Sequence, residues 1–145
     1  MVRRTKEDAI ATRNSLMDAA ELVFGEKGVS RASLSDIAQA AGATRGAIYG
    51  HFKDKMDLFN AMMDRVALPL ERGHGEFECS SCLDPVERLR AVMALVLHGV
   101  ASDERTRRVF EVALYKVEYA GEMLGVRERH VAASEAFTRQ LARDF

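Results

Sequence analysis

The chain has 145 residues, 48% apolar and 30% charged, which suits one ordinary domain or a small head joined to a helical body. Its net charge of −1 divides unevenly: residues 1–55 hold nine Lys/Arg against seven Asp/Glu, about +2, and residues 56–145 hold twelve against fifteen, about −3. That bias is too small to argue for nucleic acid alone. No apolar run reaches the length of a membrane span, and the basic start Met1-Val2-Arg3-Arg4-Thr5-Lys6 leads into no signal core, so a cytoplasmic protein without membrane contact is expected.

Only two prolines occur, the first at Pro69, and β-branched residues rarely run together, so an all-α chain is expected. A first helix opens at the capping pair Thr5 and Asp8, carries a stripe of Ile10, Leu16, Met17, Ala20, Val23 and Phe24, and stops at Gly28. Ser33 with Asp36 caps a short second helix, Leu34 to Ala41, closed by Gly42. Thr44 caps a third, from Arg45 to about His51. Asp54 and Asp57 open a longer fourth helix bearing Leu58, Phe59, Met62, Met63 and Val66. Pro69 predicts a bend, and Gly73 to Ser81 a hinge or loop. Asp84-Pro85-Val86-Glu87 starts a fifth helix, whose stretch from Ala91 to Ala101 has no formal charge and is therefore expected to be enclosed by other elements. A sixth runs from about Glu104 to Ala120, and a seventh, after a break at Gly121 and Gly125, carries Val126, Ala133, Phe137 and Leu141. The chain thus divides into a three-helix head, residues 1–53, and a helical body, residues 54–145.

The second and third helices fit the steric demands of a helix-turn-helix. Ala38 is small enough for another helix to cross it, Gly42 tolerates the positive φ of the turn, and Ile48, with Leu34, Ile37, Ala41 and Phe52, faces inward. Outward remain Thr44, Arg45, Gly46, Ala47, Tyr49, Gly50 and His51. Small residues admit the backbone to base edges, and a guanidinium can pair bidentately with guanine. Tyr49, His51, Lys53 and Lys55 are placed for flanking phosphates, Lys55 also lying at a helix N-terminus. The spacing alone fits many helical hairpins, in which Tyr49 is structural and His51 merely solvated.

The segment from Ser33 to Phe59, with Thr44-Arg-Gly-Ala-Ile-Tyr and His51-Phe-Lys-Asp-Lys inside it, closely resembles the TetR family of transcriptional repressors. Together with Arg4-Thr-Lys-Glu, Arg105-Thr-Arg-Arg and the Lys116-x-Glu118 pair, it is most similar to the AcrR- and TtgR-like subgroup that controls multidrug efflux pumps. The resemblance implies DNA contacts at Thr44, Arg45, Tyr49, His51 and Lys55, with phosphate contacts added by Ser33 and Ser35, on a palindromic double-stranded operator. It also implies a homodimer, and a body that encloses a small lipophilic effector whose binding moves the fourth helix and shifts the heads. Effector-lining candidates are Met62, Val66, Met93, Val96, Leu97, Phe110, Ala113, Leu114 and Val117, each of which also reads as plain core. Phe110 and Leu114 stand where some relatives carry polar ligand-gripping groups. Gly50 stands where relatives commonly carry a bulky aromatic, and a glycine inside a helix costs roughly 1 kcal/mol relative to alanine. Family members continue past the seventh helix into the dimer interface, so a shortened body is expected.

His98 reads as a core histidine, and Arg105, Arg107 and Arg108 as a solvated face. Cys79-Ser-Ser-Cys82 reads as free loop thiols, with oxidant sensing as the alternative. No cofactor or metal is expected. Nor is an enzyme, because no nucleophile–base pair, phosphate loop or ligand quartet occurs. The rival reading is a truncated sensor that does not bind DNA, or a heterodimerising modulator of a related repressor.

Overall fold

The computed structural model describes residues 6–78, 84–118 and 121–144, and among them every regular element is helical. The order is α1 (Lys6–Lys27), α2 (Leu34–Ala40), α3 (Arg45–Tyr49), α4 (Lys55–Glu78), α5 (Pro85–Ser102), α6 (Glu104–Tyr115), a 3-10 turn (Gly121–Met123) and α7 (Leu124–Asp144). No helix of the described residues is long and apolar enough to cross a membrane.

Helix α1 is the hub, packed on α2, α4 and α6. Three neighbours bury more than one face, so Leu16, Met17, Ala19, Ala20, Glu21, Val23 and Phe24 are all inside. Ile10, expected in the same stripe, is 52% exposed, because burial along α1 begins only at Leu16. The buried core runs without a break past residue 53: the Phe24 and Phe59 rings tilt together at 6.1 Å, and Leu58 and Met62 are fully buried. Head and body share this core.

Three expectations change. Helix α4 continues through Pro69, Gly73 and Gly75 to Glu78 without a break in its helical run; the part of the expected hinge from 79 to 81, and Cys79 and Cys82 with it, lies outside the described residues. Helix α6 ends at Tyr115, five residues earlier than expected, with Lys116 as its cap. Helix α5 is not enclosed. It packs on α4 and α6, while Met93 and Leu97 on its other side are 48% and 62% exposed. His98 is likewise exposed and not a core residue. The fold places α5 at the rim, and its uncharged stretch there presents apolar side chains outward.

Candidate nucleic-acid interface

The site is built by two caps and one turn. Ser33 begins α2 with a reciprocal capping box: its Oγ accepts from the Asp36 amide at 3.1 Å, and its own amide donates to Asp36 Oδ2 at 2.9 Å. These bonds, led by the Ser33 hydroxyl and amide and helped by Lys27 at 3.0 Å, hold the Asp36 carboxyl down at about 2. At the other end of α2 the Ala43 amide donates to Ala38 O at 2.9 Å and the Gly42 amide to Gln39 O at 3.0 Å. That pair of bonds is a Schellman closure, and it requires the positive φ of 64° that Gly42 adopts. The chain thereby reverses tightly enough for α3 to cross Ala38, which is 2% exposed.

Helix α3 has five residues, Arg45–Tyr49. Thr44 Oγ1 accepts from the Ala47 amide at 3.1 Å, while Ile48 and Phe52 anchor it inward at 0% and 1% exposure. Gly50 is the cap after the helix and not an interior residue, so the helix-propensity cost expected for it does not apply. Outward stand Thr44, Arg45, Gly46 and Tyr49, with Ala47 and His51 half-buried. A Cβ built on Gly46 meets nothing nearer than Thr44 Oγ1 at 4.0 Å, so nothing inside the protein requires glycine there. The Arg45 guanidinium lies 5.9 Å from the centre of the Tyr49 ring, within reach of a cation–π contact. His51 tilts against Phe52 at 6.5 Å.

Ser33, Ser35, Arg45, Tyr49, Lys53 and Lys55 border one open concavity of about 350 Å³, also lined by Ala32, Leu34 and Asp54. Five of the nine expected DNA-contact residues, Ser33, Ser35, Arg45, Tyr49 and Lys55, therefore border a common groove together with Lys53. Two of them have internal work. The Ser33 hydroxyl donates to Asp36 Oδ2 at 2.7 Å, and the Lys55 ammonium donates to the Ser30 and Ala32 carbonyls at 3.2 Å each. Lys55 thus ties the start of α4 to the turn between α1 and α2.

The expected effector residues are scattered. Met62, Val66 and Ala113 are buried, and Val96, Phe110 and Val117 half-buried. Met93, Leu97 and Leu114 are 48%, 62% and 64% exposed, so they do not lie inside an enclosed cavity of the described residues. Each points away from the shared core because α5 and the end of α6 sit at its edge.

Sequence reasoning missed a charged cluster behind the head. Glu21, 1% exposed on α1, faces Arg65 of α4 and Arg105 and Arg108 of α6. Burial pushes its carboxyl pKa up in spite of the three guanidiniums, Arg105 foremost. The signal was available: Glu21 lies four residues after Met17 and three before Phe24, inside the apolar stripe of α1. Arg105 and Arg108, expected as a solvated face, turn toward α1 instead.

Residues 16–62 match the model of "Bacterial regulatory proteins, tetR family", and residues 84–141 match "MAATS-type transcriptional repressor, C-terminal region". The chain is 40% identical over 128 residues to the HTH-type transcriptional regulator AcrR of Shigella flexneri, covering 88% of this chain and 60% of that protein. The chain thus spans about 60% of the length of the curated relatives it matches. Among solved structures, NalD, the secondary repressor of the MexAB-OprM multidrug efflux pump in Pseudomonas aeruginosa, superposes with a TM-score of 0.76 at 38% identity, covering 94% of this chain and 68% of that one. SmeT, repressor of the SmeDEF pump of Stenotrophomonas maltophilia, was solved as a triclosan complex and gives 0.76 at 35% identity, over 92% and 66%.

Proposed function

Because the chain belongs to the tetR family of bacterial regulatory proteins, we propose that it is a DNA-binding repressor of a multidrug efflux operon, released by a small lipophilic effector. The observation that carries the reading is α3: a capped five-residue helix crossing Ala38, with Arg45 outward beside Gly46. A glycine that internal packing does not require leaves room for a groove wall, and the neighbouring guanidinium suits guanine O6 and N7. Thr44, Ala47 and Tyr49 accompany it, and Ser33, Ser35, His51, Lys53 and Lys55 border the phosphates. A palindromic operator bound by a homodimer follows from the family's pattern, since two half-sites give affinity that one short helix cannot. The effector is a lipophilic compound of the triclosan kind, because Met62, Val66 and Ala113 offer it apolar contacts and methionine adapts to varied shapes. Such a regulator acts in the cytoplasm, where its DNA is, and carries out no catalysis.

Fluorescence anisotropy on the duplex upstream of the protein's own gene, against a scrambled duplex at two salt concentrations, tests the reading. Arg45→Ala should lower the preference between the two by about 1–3 kcal/mol. Equal loss on both duplexes would remove Arg45 from base reading, and no binding by the parent chain would remove the DNA role. A second reading, a modulator that pairs with a related repressor, is favoured by the exposure of Met93, Leu97, Leu114 and Tyr115. It predicts binding to that partner and no duplex affinity alone.

A further inference from the structure

We propose that Glu21 is the pivot of an ion-pair relay through which the helical body and the DNA-reading head sense each other's position. The relay rests on the DNA-reading role. Its residues come from three helices. Glu21 Oε1 lies 3.3 Å from Arg105 Nε and 3.6 Å from a terminal nitrogen of Arg65, and Oε2 lies 3.7 Å from Arg108. One turn earlier on α1, Asp18 Oδ1 accepts from Arg65 at 2.7 Å and from Arg105 at 2.9 Å. Arg108 in addition pairs with Glu104 at 2.6 Å.

The two carboxylates are not equivalent. Asp18 is half-exposed and takes both aligned bonds. Glu21 is buried, and its Oε1, like Arg65 Nη1 and Arg108 Nε, has no hydrogen-bond partner among the described residues. A buried charge surrounded by opposite charges but by no aligned donor is under-satisfied, and small shifts that align one donor are favourable. Because Asp18 and Glu21 stand three residues apart on one face, the same two arginines can bond either. A slide of α4 or α6 along α1 would exchange aligned bonds from Asp18 to Glu21 at little net cost. Such an exchange would supply the second arrangement that a coupling element needs. Helix α1 then passes the shift to α2, which packs on it, and a backbone bond from the Val29 amide to Lys116 O at 2.9 Å ties the end of α6 to the same turn.

Linkage is reciprocal, so a duplex bound at the head must be felt at α6, which carries none of the candidate DNA contacts. Hydrogen exchange on the full chain, free and saturated with a duplex that the chain selects from a randomised pool, reads this directly. In the parent chain the duplex should slow exchange on α3 and also on α6 across residues 109–113, there by about fivefold, the lower end of coupling between sites. Glu21→Gln keeps the side-chain shape and should retain the slowing on α3 while losing it on α6. Arg105→Gln, at a side chain 43% exposed, should show the same split and serves if the first variant folds poorly. Unchanged slowing on α6 in the folded variants would overturn the relay and assign the coupling to the buried apolar core that α1 and α6 share. A parent chain protected on α3 but not on α6 would overturn it equally. A parent chain that selects no duplex removes the DNA-reading role itself, and the relay with it.

Discussion

Lys55→Met separates two roles that the same side chain can play. If Lys55 served only a DNA phosphate, its loss would leave the free protein as stable as before and reduce the salt slope of binding by about one. Its ammonium instead donates to Ser30 O and Ala32 O, across 25 and 23 residues of chain, at 3.2 Å each. A hydrogen bond from a charged donor contributes about 1.5–3 kcal/mol when buried. Both bonds here are at the long end of the range and the site is half-open, so the pair together should contribute about 1–2 kcal/mol. For a chain of this size that is a fall in Tm of roughly 3–8 °C. Methionine keeps the apolar stem, so the loss reports the ammonium and not the packing. Thermal unfolding without DNA measures it, and anisotropy at several salt concentrations measures the rest. An unchanged Tm together with a reduced salt slope would refute the clamp and return Lys55 to the phosphates alone.

Two further outcomes follow from the geometry of the head. If the Tyr49 ring steadies Arg45, Tyr49→Phe should keep the preference for the selected duplex and Tyr49→Leu should lose about 0.5–1 kcal/mol of it, whereas equal loss in both variants would make the hydroxyl a phosphate contact. Asp36, held down at about 2 by Ser33 and Lys27, contributes stability that is present above the ordinary carboxylate pKa of about 4 and lost as pH falls through about 2. Thermal unfolding between those pH values should lose part of its pH dependence in Asp36→Asn, and identical profiles would discount the capping box.

What could be read from the residues was what depends on neighbours in the chain. Ser33 with Asp36, Thr44 with Ala47, and Gly42 act within a few residues, and the structure forms each cap and turn where the spacing put it. Distant partners were not legible. Lys55 reads as a cation at a helix start until the carbonyls of Ser30 and Ala32 are seen beside it. The exposure of Met93, Leu97 and His98 depends on α5 standing at the rim, which an uncharged stretch does not disclose. The proline at 69 removes one backbone bond of α4, and the remaining bonds of a 24-residue helix carry it past that position. Glu21 lay within an apolar pattern that counts hydrophobic positions and passes over a charge at the same spacing.

The length of α3 has a consequence for how the head can be controlled. Five residues form barely more than one turn, far below the length at which a helix holds itself together in water. Its geometry is therefore borrowed: Thr44 caps it, and Ile48 and Phe52 hold it to a core that α1 and α4 build with Phe24, Leu58 and Phe59. A reading helix so dependent on its supports cannot move independently of α1 and α4, so whatever shifts those two helices re-aims Arg45. Both are joined to α6 by Asp18, Glu21, Arg65 and Arg105. Under the proposed function, control of DNA binding from the body then requires no change inside α3, only a displacement of the helices that position it.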